Sequence, residues 1–263
     1  MNLDNIAILD SGFGGLTAMR HIRALMPNEN IIYFGDTAHL PYGNKSPQTI
    51  VNYCLENIPF LLDKGIKILV IACHTACTAA LPIVRKHFNI LIVGIIEQGI
   101  EQAVQATQNQ RIGVLGTRTT IASGVYQRQI QLLSPQAEIH ALACPLFVPF
   151  VEEGYTDHPI TSLMIADTLR PIKNKNIDTL LLGCTHYPLL EPLIQREFKN
   201  SVNIIDPAKG CALKTRQLLA ENQLLNPQQT SPNYTFYVTD DPDKFRQLGK
   251  TFINYPIETV FKR

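Results

Sequence analysis

A short apolar segment that ends at a cysteine occurs twice in this 263-residue sequence and constrains the fold more than any other feature. In residues 68–77 the run ILVIA leads to Cys73, and in residues 179–188 the run TLLLG leads to Cys184. Continuous apolar runs of this length, bounded by turn-forming residues, are typical of strands buried in a parallel sheet. Because ligands of open α/β sheets bind beyond the carboxyl ends of such strands, the sequence predicts one thiol at a binding cleft from each half of the chain.

Two thiols in equivalent positions suit one type of chemistry especially well. One group removes a proton from one face of a carbon, and the other returns a proton to the opposite face. The reactive form is the thiolate, and a free thiol has a pKa of about 8.5. A protonated His186, backbone N–H groups and helix N-termini would favour the thiolate, whereas a carboxylate alone would hold the thiol protonated.

Composition and charge restrict the class of protein. Apolar residues make up 45% of the chain, which is enough for a sizeable core. The formal net charge of +1 gives no support for binding to nucleic acid or to a membrane surface. No charged-then-apolar leader precedes the first apolar run, and the apolar runs are too short to span a bilayer. Together with six cysteines that we interpret as free thiols, these features predict a cytoplasmic protein.

Strand-like and helix-like segments alternate throughout, so the predicted class is α/β. We expect two similar domains, each a mainly parallel sheet flanked by helices, with the active site in the cleft between them. Each cysteine follows about the third strand of its half, and the helices that we expect next to the site cover residues 78–87 and 211–221. Residues 225–233 are predicted to form an exposed loop, and Lys67 is interpreted as a solvated surface residue.

The glycine-rich turn at residues 10–17 lacks the third glycine of a dinucleotide fingerprint, because Thr17 stands there. We interpret the turn, with Asp10 at its start, as a binding site for an anion such as a carboxylate rather than as a plain tight turn. The threonines of residues 117–120 follow another strand and are a second candidate for holding a carboxylate. Pro41 and Gly43 are expected to shape a loop that exposes the hydroxyl of Tyr42.

The sequence resembles the cofactor-independent glutamate racemases. The matching motifs are DSGFGGL at 10–16, YFGDT at 33–37, PYG at 41–43, AC and TA at 72–73 and 75–76, IGVLGT at 112–117, CPLFVP and EEG at 144–149 and 152–154, LLGCTHYPLL at 181–190, and IDPA at 205–208. The resemblance implies racemisation of L- and D-glutamate by a two-thiol proton transfer that supplies D-glutamate for peptidoglycan, and hence a role in cell wall biogenesis and cell shape. It also implies a first domain of residues 1–97 plus 208–263, a second domain of residues 98–207, and no cofactor.

The resemblance also implies roles for individual residues. Cys73 would be the base for D-glutamate, assisted by Asp10, and Cys184 the base for L-glutamate, assisted by His186 and Glu152. The implied substrate-holding residues are Asp10, Ser11, Pro41, Tyr42, Gly43, His74, Thr75, Thr117, Thr185 and His186. Three residues depart from the usual family pattern: His74 stands where Asn is usual, Cys77 where Ser is usual, and Gln98 where Pro is usual.

Other interpretations compete with this one. A zinc site built from Cys73, His74, Cys77, Cys184 and His186 fits poorly, because the spacing lacks paired C-x-x-C motifs, so we predict no metal. A racemase for aspartate or another amino acid could use the same two thiols. A binding or regulatory protein on the same scaffold is a third option, since some family members are reported to bind DNA gyrase. The sequence leaves open whether the protein forms a homodimer.

Overall fold

The computed structural model describes residues 5–227 and 231–263, in which strands and helices alternate as predicted. The strands are β1 (Asn5–Asp10), β2 (Asn30–Gly35), β3 (Ile66–Ile71), β4 (Leu91–Gly94), β5 (Arg111–Gly116), β6 (Glu138–Ala143), β7 (Thr179–Gly183), β8 (Asn203–Ile205), β9 (Tyr234–Val238) and β10 (Val260–Lys262). The helices are α1 (Leu16–Leu25), α2 (Pro47–Asp63), α3 (His74–His87), α4 (Ile95–Ala106), α5 (Arg118–Ala122), α6 (Val125–Leu133), α7 (Phe147–Glu152), α8 (Pro159–Lys173), α9 (Glu191–Glu197), α10 (Pro207–Glu221) and α11 (Pro242–Ile253).

The strands form two parallel sheets, which confirms the predicted fold class. The first sheet has the order β10-β9-β2-β1-β3-β4, and the second has the order β6-β5-β7-β8. Every residue of β3 and β7 is buried, as expected for strands covered on both faces. Each cysteine follows an interior strand: β3 lies between β1 and β4, and β7 lies between β5 and β8. The two thiols therefore occupy equivalent places in the two sheets.

The chain passes between the sheets twice. Helix α4 leads from the first sheet to the second, and α10 leads back, so that β9 and β10 complete the first sheet. Helix α10 packs against both α1 and α4 at this crossing. The domain boundaries given above, after residues 97 and 207, fall within this crossing and stay a prediction. No helix in the described ranges is long and apolar enough to cross a membrane.

Two helices next to the site begin one turn earlier than predicted, α3 at His74 and α10 at Pro207. In both cases the side chain just before the helix accepts a hydrogen bond from its first turn. The Cys73 thiol accepts from the Ala76 backbone N–H at 3.5 Å, and the Asp206 carboxylate accepts from that of Ala208 at 3.0 Å. Such a cap satisfies an N–H group that has no partner within the helix, which extends the helix to the strand end.

The prediction of a solvated Lys67 is wrong. Its side chain is buried, forms an ion pair with the buried Glu29, and donates a hydrogen bond to the backbone oxygen of Leu224 at 2.7 Å. A buried ammonium group is tolerated because a carboxylate and a carbonyl together replace its water shell. Of the loop predicted at residues 225–233, residues 228–230 lie outside the described ranges.

Candidate active site

One narrow, partly open pocket lies beyond the carboxyl ends of β3 and β7 and has a cavity volume of about 20 Å³. Its walls come from both sheets: Ser11, Leu40, Pro41, Tyr42, Gly43, Cys73, His74, Thr75, Thr117, Val148, Glu152, Cys184, Thr185 and His186. The structure thus brings together every predicted site residue except Asp10, which lies behind this wall. Leu40 and Val148 were missed because a lone apolar residue in a loop or short helix carries no signal of its own. Cys73 and Cys184 are each only 6% exposed, so both thiols are largely shielded from solvent.

Cys184 is the first member of a chain of three polar side chains. Its Sγ lies 3.9 Å from His186 Nδ1, and His186 Nε2 lies 3.0 Å from Glu152 Oε1. The imidazole is buried, at 4% exposure, so water does not screen these contacts. A carboxylate on one ring nitrogen and a sulfur on the other favour an imidazolium ion.

The pKa of His186 reflects this competition. Burial acts to lower it, but the hydrogen bonds with Cys184 and Glu152 outweigh burial and raise the pKa of His186 to about 10. The ring is therefore charged at neutral pH. This places a positive charge beside the sulfur of Cys184.

Cys73 lies in a different environment. Its thiol donates to Ser11 Oγ at 3.5 Å and accepts from the Ala76 N–H at the start of α3. Burial, followed by the negative charge of Asp10, raises the pKa of Cys73 to about 12, although the contacts with Ser11 and Ala76 oppose the shift. Cys73 is therefore a thiol at neutral pH.

Asp10 ends β1 and is 1% exposed. Its Oδ2 accepts a hydrogen bond from the Gly12 N–H at 2.9 Å, but Oδ1 is buried and has no hydrogen-bond partner among the described residues. Burial raises the pKa of Asp10, while the charge of His186 opposes that rise. A buried carboxylate oxygen without a partner is costly and is typical of a functional site.

The prediction that the Tyr42 hydroxyl is exposed is wrong. Tyr42 lines the cavity, but its hydroxyl donates to Asp36 Oδ2 at 2.6 Å inside the protein. The other Asp36 oxygen accepts from Thr239 Oγ1 at 2.8 Å, and His39 Nδ1 lies 2.9 Å from the same atom. This network ties the loop that carries Tyr42 to the segment after β9, so the hydroxyl supports the loop instead of facing the cavity.

Three threonine hydroxyls meet where the two halves touch. Thr75 Oγ1 lies 3.0 Å from Thr117 Oγ1 and 3.1 Å from Thr120 Oγ1, and Thr117 and Thr120 are 3.0 Å apart. Thr75 and Thr117 line the cavity. Hydroxyl groups can rotate to donate, so this cluster suits a carboxylate bound beside it.

Glycines in two predicted motifs are required for close approach. A Cβ atom on Gly14 would lie 2.1 Å from Thr185 Oγ1 and 2.6 Å from His186 Nδ1. A Cβ on Gly43 would lie 2.6 Å from the Cβ of Thr117. The glycine-rich turn interpreted above as an anion site therefore packs Gly14 against the Cys184 turn; of its residues, Ser11 lines the cavity.

His74 lies directly after Cys73 and is 2% exposed. Its Nδ1 lies 2.6 Å from the hydroxyl of Tyr126, a residue that sequence reasoning missed. Burial lowers the pKa of His74 to about 3, so the ring is neutral at physiological pH. No group of three or more His, Cys, Asp or Glu side chains within residues 5–227 and 231–263 is arranged to hold a metal ion.

Comparisons with known proteins agree with this geometry. Residues 17–213 match the family described as Asp/Glu/Hydantoin racemase. A glutamate racemase of Syntrophus aciditrophicus is 44% identical over 98% of this chain and 96% of its own length, and one of Neisseria meningitidis is 44% identical over 97% and 94%. The crystal structure of glutamate racemase from Francisella tularensis in complex with D-glutamate superposes with a TM-score of 0.94, at 36% identity, over 100% of this chain and 98% of that chain.

These similarities extend over nearly the whole length of the sequence and include both cysteine turns. The chain therefore belongs to the Asp/Glu/hydantoin racemase family and, within it, to the glutamate racemases.

Proposed function

We propose that the protein interconverts L- and D-glutamate with Cys73 and Cys184 as the two bases. The observation that carries the proposal is the shared pocket, into which the two halves of the chain each bring one cysteine. The solved structure of a relative with D-glutamate supports glutamate as the ligand. We further propose that the reaction needs no cofactor.

The charged His186 beside Cys184 and the protonated Cys73 define a first step in this proposal. In the free protein Cys184 faces the His186 imidazolium, while Cys73 keeps its proton. The Cys184 thiolate removes the α-proton of one enantiomer, which family resemblance makes L-glutamate. Cys73 then donates its proton to the opposite face of the α-carbon. The product is D-glutamate, and the sites are left as Cys184 thiol and Cys73 thiolate.

The carbanion formed in this step needs stabilisation around the α-carboxylate. The threonine cluster, Ser11 and His74 supply neutral donors at the cavity wall. The near absence of solvent strengthens each of these contacts, because their field is not screened. We propose Thr185 and the loop of Pro41 to Gly43 as further contacts of the substrate, and Asp10 as the group that assists Cys73.

The biological context follows from the proposed activity. We propose that the D-glutamate is used for peptidoglycan, and that the enzyme works in the cytoplasm, where its six free, buried cysteines remain reduced. A homodimer stays a prediction, as do the domain boundaries.

An assay with purified, cofactor-free protein tests the proposal. Circular dichroism would follow the loss of ellipticity as each enantiomer of glutamate racemises. The same measurement would be made separately on aspartate. We expect both glutamate enantiomers to reach the same racemic endpoint and aspartate to react more slowly. Inactivity on glutamate, with or without added pyridoxal phosphate, would reject the proposed function. Glutamate turnover that requires the cofactor would reject its cofactor-free form.

A preference for aspartate is the second candidate, and His74 is the observation that raises it. Its ring is larger than the Asn usual in the family and narrows a small cavity, which could reduce the preference for the longer substrate. His74→Asn should remain active and raise the ratio of kcat/KM for glutamate over aspartate. One methylene is worth about 1–3 kcal/mol in a fitted pocket, so the ratio should change by about 10-fold. An unchanged ratio would show that His74 does not set the pocket length.

A further inference from the structure

Tyr126 lies between the two cysteine turns and contacts both. Its hydroxyl lies 2.6 Å from Nδ1 of His74, which directly follows Cys73. Its ring packs on Gly183, which directly precedes Cys184: a Cβ atom on Gly183 would lie 3.2 Å from Tyr126 Cε2. Tyr126 is on α6, beside the second sheet, whereas His74 begins α3, beside the first. The hydrogen bond therefore joins the two halves of the site.

The position of the protons in this bond follows from burial. Tyr126 is fully buried, and His74 is the only hydrogen-bond partner of its hydroxyl in the described part of the chain. If His74 Nδ1 carried the proton, the hydroxyl would accept that bond and its own O–H would be left without an acceptor in the core. An unsatisfied buried donor costs about 1–3 kcal/mol. The hydroxyl therefore donates to Nδ1.

This direction fixes the rest of the ring. A neutral imidazole carries one proton, so with Nδ1 as acceptor the proton is on Nε2. Nε2 has no hydrogen-bond partner among the described residues, and His74 lines the cavity. The opposite tautomer would present a lone pair, which repels a carboxylate. The family's usual Asn needs no such control, because its amide always carries N–H donors.

We propose that Tyr126 is a positioning residue that holds His74 in the neutral tautomer with the proton on Nε2, so that His74 donates a hydrogen bond to the substrate carboxylate. The proposal deepens the proposed function and rests on it for the identity of the ligand. It assigns Tyr126 no contact with the reacting atoms.

Tyr126→Phe tests the proposal, because it removes the hydroxyl and keeps the ring that packs on Gly183. We expect KM for glutamate to rise roughly 3–10-fold, with a smaller change in kcat. This factor corresponds to the loss of one hydrogen bond between neutral groups, here the bond from Tyr126 to His74. The informative background is His74→Gln, whose amide nitrogen reaches about as far as Nε2 and is a donor in any case. When Tyr126→Phe is added to the His74→Gln variant, KM for glutamate should stay at the value of His74→Gln alone. The same factor in both backgrounds would make Tyr126 a packing residue only and overturn the proposal.

Nitrogen-15 NMR of histidine-labelled protein provides a readout that needs no turnover. The His74 signals are those that His74→Gln removes. The wild type should show the Nε2–H tautomer, and Tyr126→Phe a mixture of both tautomers. A wild type in the Nδ1–H form would overturn the proposal. If the wild type does not racemise glutamate, the proposed function fails, and the tautomer still decides the role of Tyr126.

Discussion

Cys73→Ser and Cys184→Ser should each lower kcat/KM for glutamate by about 10²–10⁴-fold in both directions, the factor that a positioned acid or base contributes. A serine hydroxyl is too weak an acid to be ionised beside His186, and too weak to protonate a carbanion as fast as a thiol does. Both losses are expected because each cysteine acts once per turnover, as base or as acid. Chiral chromatography of timed samples would measure the rates.

Cys54→Ser is the matched control. Cys54 is equally buried but lies in α2 and does not line the cavity. In a helix its replacement hydroxyl can bond to the preceding turn, so the fold tolerates it. We expect near wild-type rates. More than a tenth of the wild-type activity in either cavity variant would contradict the assignment of that cysteine.

His186→Asn should lower kcat/KM by about 10–100-fold, because it removes hydrogen bonds in which charged groups take part, each worth about 1.5–3 kcal/mol. The side chain of Asn can still approach Cys184, but it carries no charge and is too short to reach Glu152. Equilibrium requires the same loss of kcat/KM in both directions. The primary kinetic isotope effect distinguishes the two directions. With α-deuterated L-glutamate the effect should be larger in His186→Asn than in the wild type, because proton removal by Cys184 becomes slower.

His87→Asn, at the exposed end of α3, is the control and should leave rates and isotope effects unchanged. An isotope effect that grows only for α-deuterated D-glutamate would place His186 on the opposite side of the reaction. A variant with full activity would show that the His186 charge does not assist Cys184.

The sequence predicted the parts of the site that depend on local pattern. Apolar runs mark β3 and β7, and the polar residue after a buried strand in a parallel sheet must lie at the ligand-binding edge. This reasoning places Cys73, Thr75 and Cys184 without knowledge of what faces them. Family resemblance added residues outside the strand ends, such as Glu152.

The parts that local pattern missed depend on contacts between distant segments. Tyr126 is one of nine tyrosines in the sequence, and only the packing of α6 against the Gly183 turn brings it to His74. Lys67, in β3, looks like a surface residue because its partner, Glu29, lies far away in the sequence, in the loop between α1 and β2. Helix α3 starts early because Cys73 caps it, and a cysteine is not among the usual capping residues; α10 is capped by Asp206, which is one of them.

Racemisation in heavy water tests the two-base account most directly. A thiol holds a single proton, so a proton taken by one cysteine in the cavity can return only to the face from which it came. The other cysteine exchanges its proton with solvent before the substrate binds, so it delivers deuterium to the opposite face. Early in the reaction from L-glutamate, mass spectrometry of the separated enantiomers should find deuterium in D-glutamate and almost none in recovered L-glutamate, and the reverse from D-glutamate. Equal early labelling of both enantiomers would indicate a single base and contradict the account.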